Sequence, residues 1–230
     1  MSAPQHTETV SSKKMLFSMV LIGTMCALFI VLTYEGTLPR VQYLRSEALK
    51  QAIFKVLPGI SETKTFQLND NQSFALTDES NGQSTVFAGY DQEGNLIGLA
   101  IEAEGQGYAD KIKILYGYNP TDETVIGFYV LETKETPGLG DKIEKDENFL
   151  LNFVALDVSL NADRSGLANP VITVKSGEKG SPWEVDGITG ATISSRAIGD
   201  IVNESASHWG PIVQQNLEQL KLNSKELAYE

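Results

Sequence analysis

From Met15 to Tyr34 the chain runs twenty residues without a charge, the length an α-helix needs to cross a bilayer core of roughly 30 Å. The run exceeds the apolar core of about 7–15 residues in a cleaved signal peptide, and no small-x-small site follows it. Lipidation at Cys26 fits poorly because Met25 stands where a small residue is wanted. An uncleaved anchor is therefore expected. Lys13 and Lys14 point to a cytoplasmic N-terminus, with Arg40 and Arg45 pulling weakly the other way. Val41, Leu44, Ala48 and Ala52 then recur three or four apart, widened by Leu49, Ile53, Val56 and Leu57. That stripe predicts a connecting amphipathic helix over 39–57, ended by Pro58-Gly59 and packed on the domain that follows.

Residues 60–84 are polar, with Phe66, Leu68, Phe74 and Leu76 as short-strand positions. Apolar runs at 85–90 and 95–102 flank the turn signal Asp91-Gln92-Glu93-Gly94. Residues 111–118 alternate cleanly, placing Ile112, Ile114, Tyr116 and Tyr118 on one face; Asn119-Pro120-Thr121-Asp122 then turns into 125–131. Two successive hairpins imply an antiparallel sheet with one buried face. A helix is expected over 146–153 and a strand at Val171-Ile172-Thr173-Val174. A helical stripe of Ile198, Ile201, Val202 and Ala206 breaks near Gly210-Pro211, and Ile212, Val213, Leu217 and Leu220 form a second. The chain thus reads as α+β: an N-terminal segment 1–14, a transmembrane helix 15–34, a connecting amphipathic helix 35–58, an extracytoplasmic domain 59–220 with an antiparallel sheet and flanking helices, and a fraying charged tail 221–230.

Composition narrows the chemistry. The 230 residues are 41% hydrophobic, enough for a real core. The net charge of −12 argues against nucleic acid, whose phosphates need a basic surface. One cysteine, Cys26, and two histidines, His6 and His208, are too few for a disulfide framework, a zinc site or an iron–sulfur cluster. No metal ligands are assigned. With His208 alone and no base beside Ser194 or Thr192, no charge-relay set is available either, and no catalytic residue is assigned. Any redox role has to rest on an organic cofactor.

Two stretches carry candidate chemistry. In Asp186-Gly187-Ile188-Thr189-Gly190-Ala191-Thr192-Ile193-Ser194-Ser195, two threonines surround residues with almost no side chain, just ahead of a helical pattern. Hydroxyls there either cap the helix or stand beside free amides that suit a phosphate. In Glu132-Thr133-Lys134-Glu135-Thr136-Pro137-Gly138-Leu139-Gly140-Asp141-Lys142, the prolyl and glycyl turns leave Leu139 projecting. By itself this is a tight turn into the next helix.

Thr189-Gly190-Ala191-Thr192, with Asp186 three residues ahead, resembles the S/T-G-A-T flavinylation motif of the bacterial FMN-binding domain family. The second stretch resembles the E-T-P-G-L-G-D-K loop of the G subunit of Rnf electron-transport complexes. The C subunit of the Na+-translocating NADH:quinone reductase shares E-T-P-G-L-G. The resemblance implies FMN joined to Thr192 through a phosphoester by a Mg-dependent flavin transferase. It also implies contacts from Asp186, Thr189, Gly190, Ala191, Glu135, Thr136, Leu139, Gly140 and Lys142, and from Tyr108 in the Gly105-Gln106-Gly107-Tyr108 segment. Leu139 would lie on the isoalloxazine face and Thr136 near its pyrimidine edge. Asp186 and Glu184 would disfavour an anionic reduced flavin, with Lys142 or Arg196 offsetting them near the phosphate. The implied function is an electron-transfer subunit, single-pass in the bacterial inner membrane, its domain periplasmic or otherwise extracytoplasmic. Its partners are the other membrane subunits of a complex that moves electrons between ferredoxin and NAD and drives Na+ or H+ translocation. Asp141-Lys142 and the short chain favour Rnf over the quinone reductase. The alternative from another class is an anchored binding module without cofactor, whose Thr192 stretch only caps a helix.

Overall fold

The computed structural model describes residues 12–77 and 84–222. The expected terminal segments 1–14 and 221–230, apart from 12–14 and 221–222, lie outside these residues, as does His6. The chain divides into two units between Glu47 and Ala48.

The first unit is most of helix α1 (Ser12–Val56). Where the apolar run and the amphipathic stripe suggest two helices, one 45-residue helix continues through Pro39. An interior proline forfeits one hydrogen bond and crowds the carbonyl four residues back; the helical turns on both sides carry the helix past it. Among the described residues α1 alone is long and apolar enough to cross a membrane, and its apolar window is unburied. Thr33 Oγ1 donates to the Phe29 carbonyl at 2.7 Å and Thr37 Oγ1 to that of Thr33 at 2.8 Å. These hydroxyls are satisfied within the helix, as an apolar surrounding demands. Val41, Leu44 and Ala48 of the expected stripe are exposed.

The second unit holds a seven-stranded antiparallel sheet in the order β2-β1-β3-β4-β5-β6-β7. Its strands are β1 (Glu62–Leu68), β2 (Phe74–Leu76), β3 (Thr85–Tyr90), β4 (Leu96–Gln106), β5 (Lys111–Asn119), β6 (Thr124–Glu132) and β7 (Leu156–Asp157). Ile112, Ile114, Tyr116 and Tyr118 point into one core, as their alternation predicts, with Phe128, Phe149, Phe153, Ile198, Val202 and Trp209. Burial raises the Tyr116 phenol well above its ordinary range and pushes that of Tyr118 up to about 12.

The opposite face is covered as well, which the hairpin pattern did not predict. Ala52, Ile53, Val56 and Leu57 at the end of α1 pack on Phe87, Ala100 and Leu115. Close approach of that helix end depends on Gly117 and Gly127, which pair across β5 and β6. A Cβ on Gly127 would stand 2.6 Å from the Val56 Cα, and one on Gly117 would stand 3.0 Å from the Val56 carbonyl carbon.

After β6 come a 3-10 turn (Gly140–Glu144), helix α2 (Glu147–Leu151), and the parallel pair β8 (Ile172–Val174) and β9 (Glu184–Asp186). Helix α3 (Thr192–Gln215) runs through Gly210-Pro211, where the sequence predicts a break. Trp209, Ile212 and Val213 are buried on both sides of the proline, so packing holds the helix straight on to Asn216. Helix α4 (Leu217–Leu222) then closes over the β2 edge, where Gln219 Nε2 donates to the Phe74 carbonyl at 2.6 Å.

Candidate functional site

The two stretches singled out in the sequence meet. A cleft of about 350 Å³ is formed by Glu135, Thr136, Leu139 and Gly140 on one side and Gly190 to Ser194 on the other, with Tyr108 at the rim. Its size falls within the roughly 300–1,000 Å³ of small-molecule sites.

The loop after β6 builds the first wall. The Leu139 and Asp141 amides both donate to the Thr136 carbonyl, at 3.1 and 3.4 Å. Gly138 takes φ +78°, a left-handed conformation that glycine adopts without penalty. Asp141 accepts from the Gly138 amide at 2.6 Å and pairs with Lys145 at 2.5 Å. The Lys145 hydrogen bond, with help from that amide, holds the Asp141 carboxyl below the usual range. This tight turn leaves Leu139 52% exposed over the cleft.

The second wall is the start of α3. Thr192 is its first residue, and Ala191, in the N-cap position, makes no side-chain cap bond. The capping alternative is therefore not what the threonines do. Thr192 and Thr189 are exposed, while Ser194 and Ser195 are buried. Ser195 Oγ donates to the Ala191 carbonyl at 2.8 Å and accepts from the Ile188 amide at 3.1 Å, pinning the turn that precedes the helix. Gly190 takes φ +84° with open space around it. Uncapped amides and the positive end of a helix dipole make this a ready anion site. Beside it stand exposed Ile193, Leu139 and Tyr108, apolar or aromatic surface left facing solvent.

Three of the expected contacts fall elsewhere. Thr189, Asp186 and Lys142 line a second cleft of about 380 Å³, across the turn from the first. The Asp186 carboxylate accepts from the Gly177 amide at 2.7 Å, and that of Glu184 from the Gly180 and Ser181 amides at 2.7 and 3.0 Å. Both acids thus brace the β8–β9 connection. Arg196 lines neither cleft.

Comparison with known proteins agrees with this geometry. The FMN-binding domain family matches residues 107–207, a span that contains both walls of the cleft. The chain is 31% identical over 195 residues to the G subunit of the ion-translocating oxidoreductase complex of Methanosarcina acetivorans, covering 85% of this chain and 93% of that one. The chain belongs to the G-subunit family of ion-translocating oxidoreductase complexes. Another relative is the G subunit of the proton-translocating ferredoxin:NAD(+) oxidoreductase complex of Clostridium ljungdahlii, 29% identical over 161 residues, or 67% of this chain and 78% of that one. The fold is shared with the C subunit of the Na(+)-translocating NADH-quinone reductase from Parabacteroides distasonis: TM-score 0.58, 20% identity, 76% of this chain and 97% of that one.

Within this family member, the sequence reading missed residues whose role is to hold the walls. Asn152, 4% exposed, accepts from the Asp186 amide at 3.0 Å and donates to the Asp186 carbonyl at 3.1 Å, anchoring the strand that leads into the motif. Nothing local marks this role, since the residue it anchors, Asp186, lies 34 residues away. Ser194 was legible only as a hydroxyl without a base. In the structure its Oγ donates to Glu135 Oε2 at 2.6 Å, and the Ala109 amide donates to Glu135 Oε1 at 3.0 Å. Ile193 went unnoticed because an apolar residue in a helix reads as core; it is 56% exposed.

Proposed function

We propose that this cleft holds FMN esterified through its phosphate to Thr192. The observation that carries the reading is the exposed Thr192 hydroxyl at an uncapped helix start, facing a cleft whose other wall is the Thr136–Gly140 turn. The residues present fit the cofactor: α3 amides for a phosphate, Leu139, Ile193 and Tyr108 for an aromatic ring, and Thr136 for its polar edge. Gly140 and Ala191 keep the floor low. Bound there, FMN supplies reversible electron transfer. The chain binds and orients it, and a covalent tether prevents its loss by dilution outside the cytoplasm.

The protein then relays electrons between flavin and iron–sulfur carriers on neighbouring membrane subunits of an Rnf-type complex, one that couples ferredoxin and NAD chemistry to Na+ or H+ movement. A Mg-dependent flavin transferase matures it. Residues 15–34 span the inner membrane with the N-terminus cytoplasmic, in keeping with Lys13 and Lys14, and the domain from 59 to 220 is extracytoplasmic. Two measurements test this. Intact mass of protein made beside an active transferase should exceed the sequence mass by FMN less one water, and an unmodified chain refutes the tether. Protease added outside intact spheroplasts should digest the domain; full protection there, with digestion only after lysis, reverses the orientation.

A further inference from the structure

The acids that the sequence places near the flavin, Asp186 and Glu184, are spent on backbone amides of the β8–β9 connection, but another carboxylate lies directly beneath the cleft. Glu135 is 5% exposed. Oε1 accepts from the Ala109 amide at 3.0 Å and Oε2 from the Ser194 hydroxyl at 2.6 Å, so each carboxyl oxygen is held by a donor from another segment. Three separate segments therefore converge on one side chain: the turn between β4 and β5, the loop after β6, and the first turn of α3. Space for it exists because two neighbours lack side chains. A Cβ on Gly107 would lie 2.5 Å from Glu135 Oε1, and one on Gly140 would lie 2.9 Å from the Glu135 Cβ and 3.0 Å from Ser194 Oγ. Among the described residues no cation pairs with Glu135; Lys134 pairs with Asp110 and Lys111 with Glu104.

We propose that Glu135 is a positioning and tuning residue rather than a flavin ligand: it ties Thr192's helix to the wall bearing Leu139, and its buried charge lowers the flavin's reduction potential. The proposal rests on FMN occupying this cleft. Both parts follow from the same geometry. A short charge-assisted hydrogen bond is stronger than a neutral one, so the two walls keep a fixed separation. Charge in a poorly solvated place acts at long reach, and electrons entering a ring above it add negative charge near negative charge.

Two substitutions separate the tie from the charge in the full-length protein, made with its transferase and purified in detergent. Glu135→Gln keeps the length and an acceptor for the Ala109 amide, lets its own amide donate to Ser194, and removes the charge. Glu135→Asp keeps the charge but is one methylene too short to span both donors. Intact mass reads attachment, time-resolved flavin anisotropy reads ring mobility, and spectroelectrochemical titration reads the midpoint potential. Glu135→Gln should retain the flavin and near wild-type anisotropy while its potential moves positive. Glu135→Asp should retain the flavin and show a new fast depolarisation, with a smaller change in potential. Ser194→Ala, which leaves the carboxylate in place and cuts one tie, should loosen the ring in the same way. A loaded Glu135→Gln protein with a potential unchanged or more negative overturns the tuning role. Loaded Glu135→Asp and Ser194→Ala proteins with wild-type anisotropy overturn the tie. A folded Glu135→Gln protein that gains no flavin makes Glu135 essential to attachment and overturns the assignment. Wild type without flavin mass strikes instead at the cofactor reading.

Discussion

Replacing Thr192 by Ala should abolish covalent flavin completely: no mass gain, and no fluorescent band after denaturation, from cells in which wild type is fully modified. The expectation rests on an inventory of hydroxyls. Four lie within seven residues, at Thr189, Thr192, Ser194 and Ser195. Ser194 and Ser195 are buried and engaged, one with Glu135 and the other with the Ala191 carbonyl and Ile188 amide. Thr189 is exposed but lines the neighbouring cleft with Lys142. Thr192 alone joins exposure to a place in the cleft and on the α3 amides. Thr189→Ala should therefore keep the flavin mass. A modified Thr192→Ala chain, or loss of flavin only in Thr189→Ala, would move the attachment point and sink the assignment. Thermal unfolding of Thr192→Ala should stay close to that of wild type made without the transferase, because an exposed hydroxyl without a cap bond contributes little to stability.

The second large effect is on the fold. Gly127→Val should destabilise the domain by about 3 kcal/mol, the upper end for overpacking a close-packed site, because the obstacle is the backbone of Val56 rather than a side chain that can turn aside. With roughly 2–4 °C per kcal/mol for a unit of this size, the melting temperature should fall by about 6–12 °C. Lifting the end of α1 also opens the core formed by Ile53, Val56, Leu57, Phe87 and Leu115. Gly166→Ala is the control, since a Cβ there meets nothing within 4 Å, and it should melt with wild type. Fluorescence of the buried Trp209 in detergent provides the readout. Equal melting of Gly127→Val and wild type would mean that the helix end does not seat on the sheet.

These two sites differ in how much of them the sequence discloses. Thr192 and the Glu135–Lys142 loop stand out locally, because small residues, prolyl turns and hydroxyls at fixed spacing constrain the backbone wherever they occur. The same holds for the strands: Ile112, Ile114, Tyr116 and Tyr118 share a face by the period of two, and they are buried together. The charge-free run ending at Tyr34 likewise implies a span on length alone.

What the sequence left open depends on residues far apart in the chain. Pro211 reads as a boundary because a proline removes a local bond, and the apolar run and the amphipathic stripe read as two helices. Tertiary packing carries α3 past Pro211, and α1 continues through Pro39 as one helix. Asp186 and Glu184 read as neighbours of the cofactor because they are near Thr192 in sequence, yet their carboxylates are turned to amides at Gly177, Gly180 and Ser181. Glu135 and Ser194 stand 59 residues apart and meet at 2.6 Å. By itself, then, the sequence determined an apolar run long enough to span a membrane and the strand faces, both properties of short-range periodicity, while the hydroxyl that a flavin would take was implied by the family resemblance. Only the tertiary structure decided which carboxylate lies under the cleft, which threonine faces it, and that Gly117 and Gly127 admit a helix end, because contact between distant segments is set by how the sheet and its helices pack.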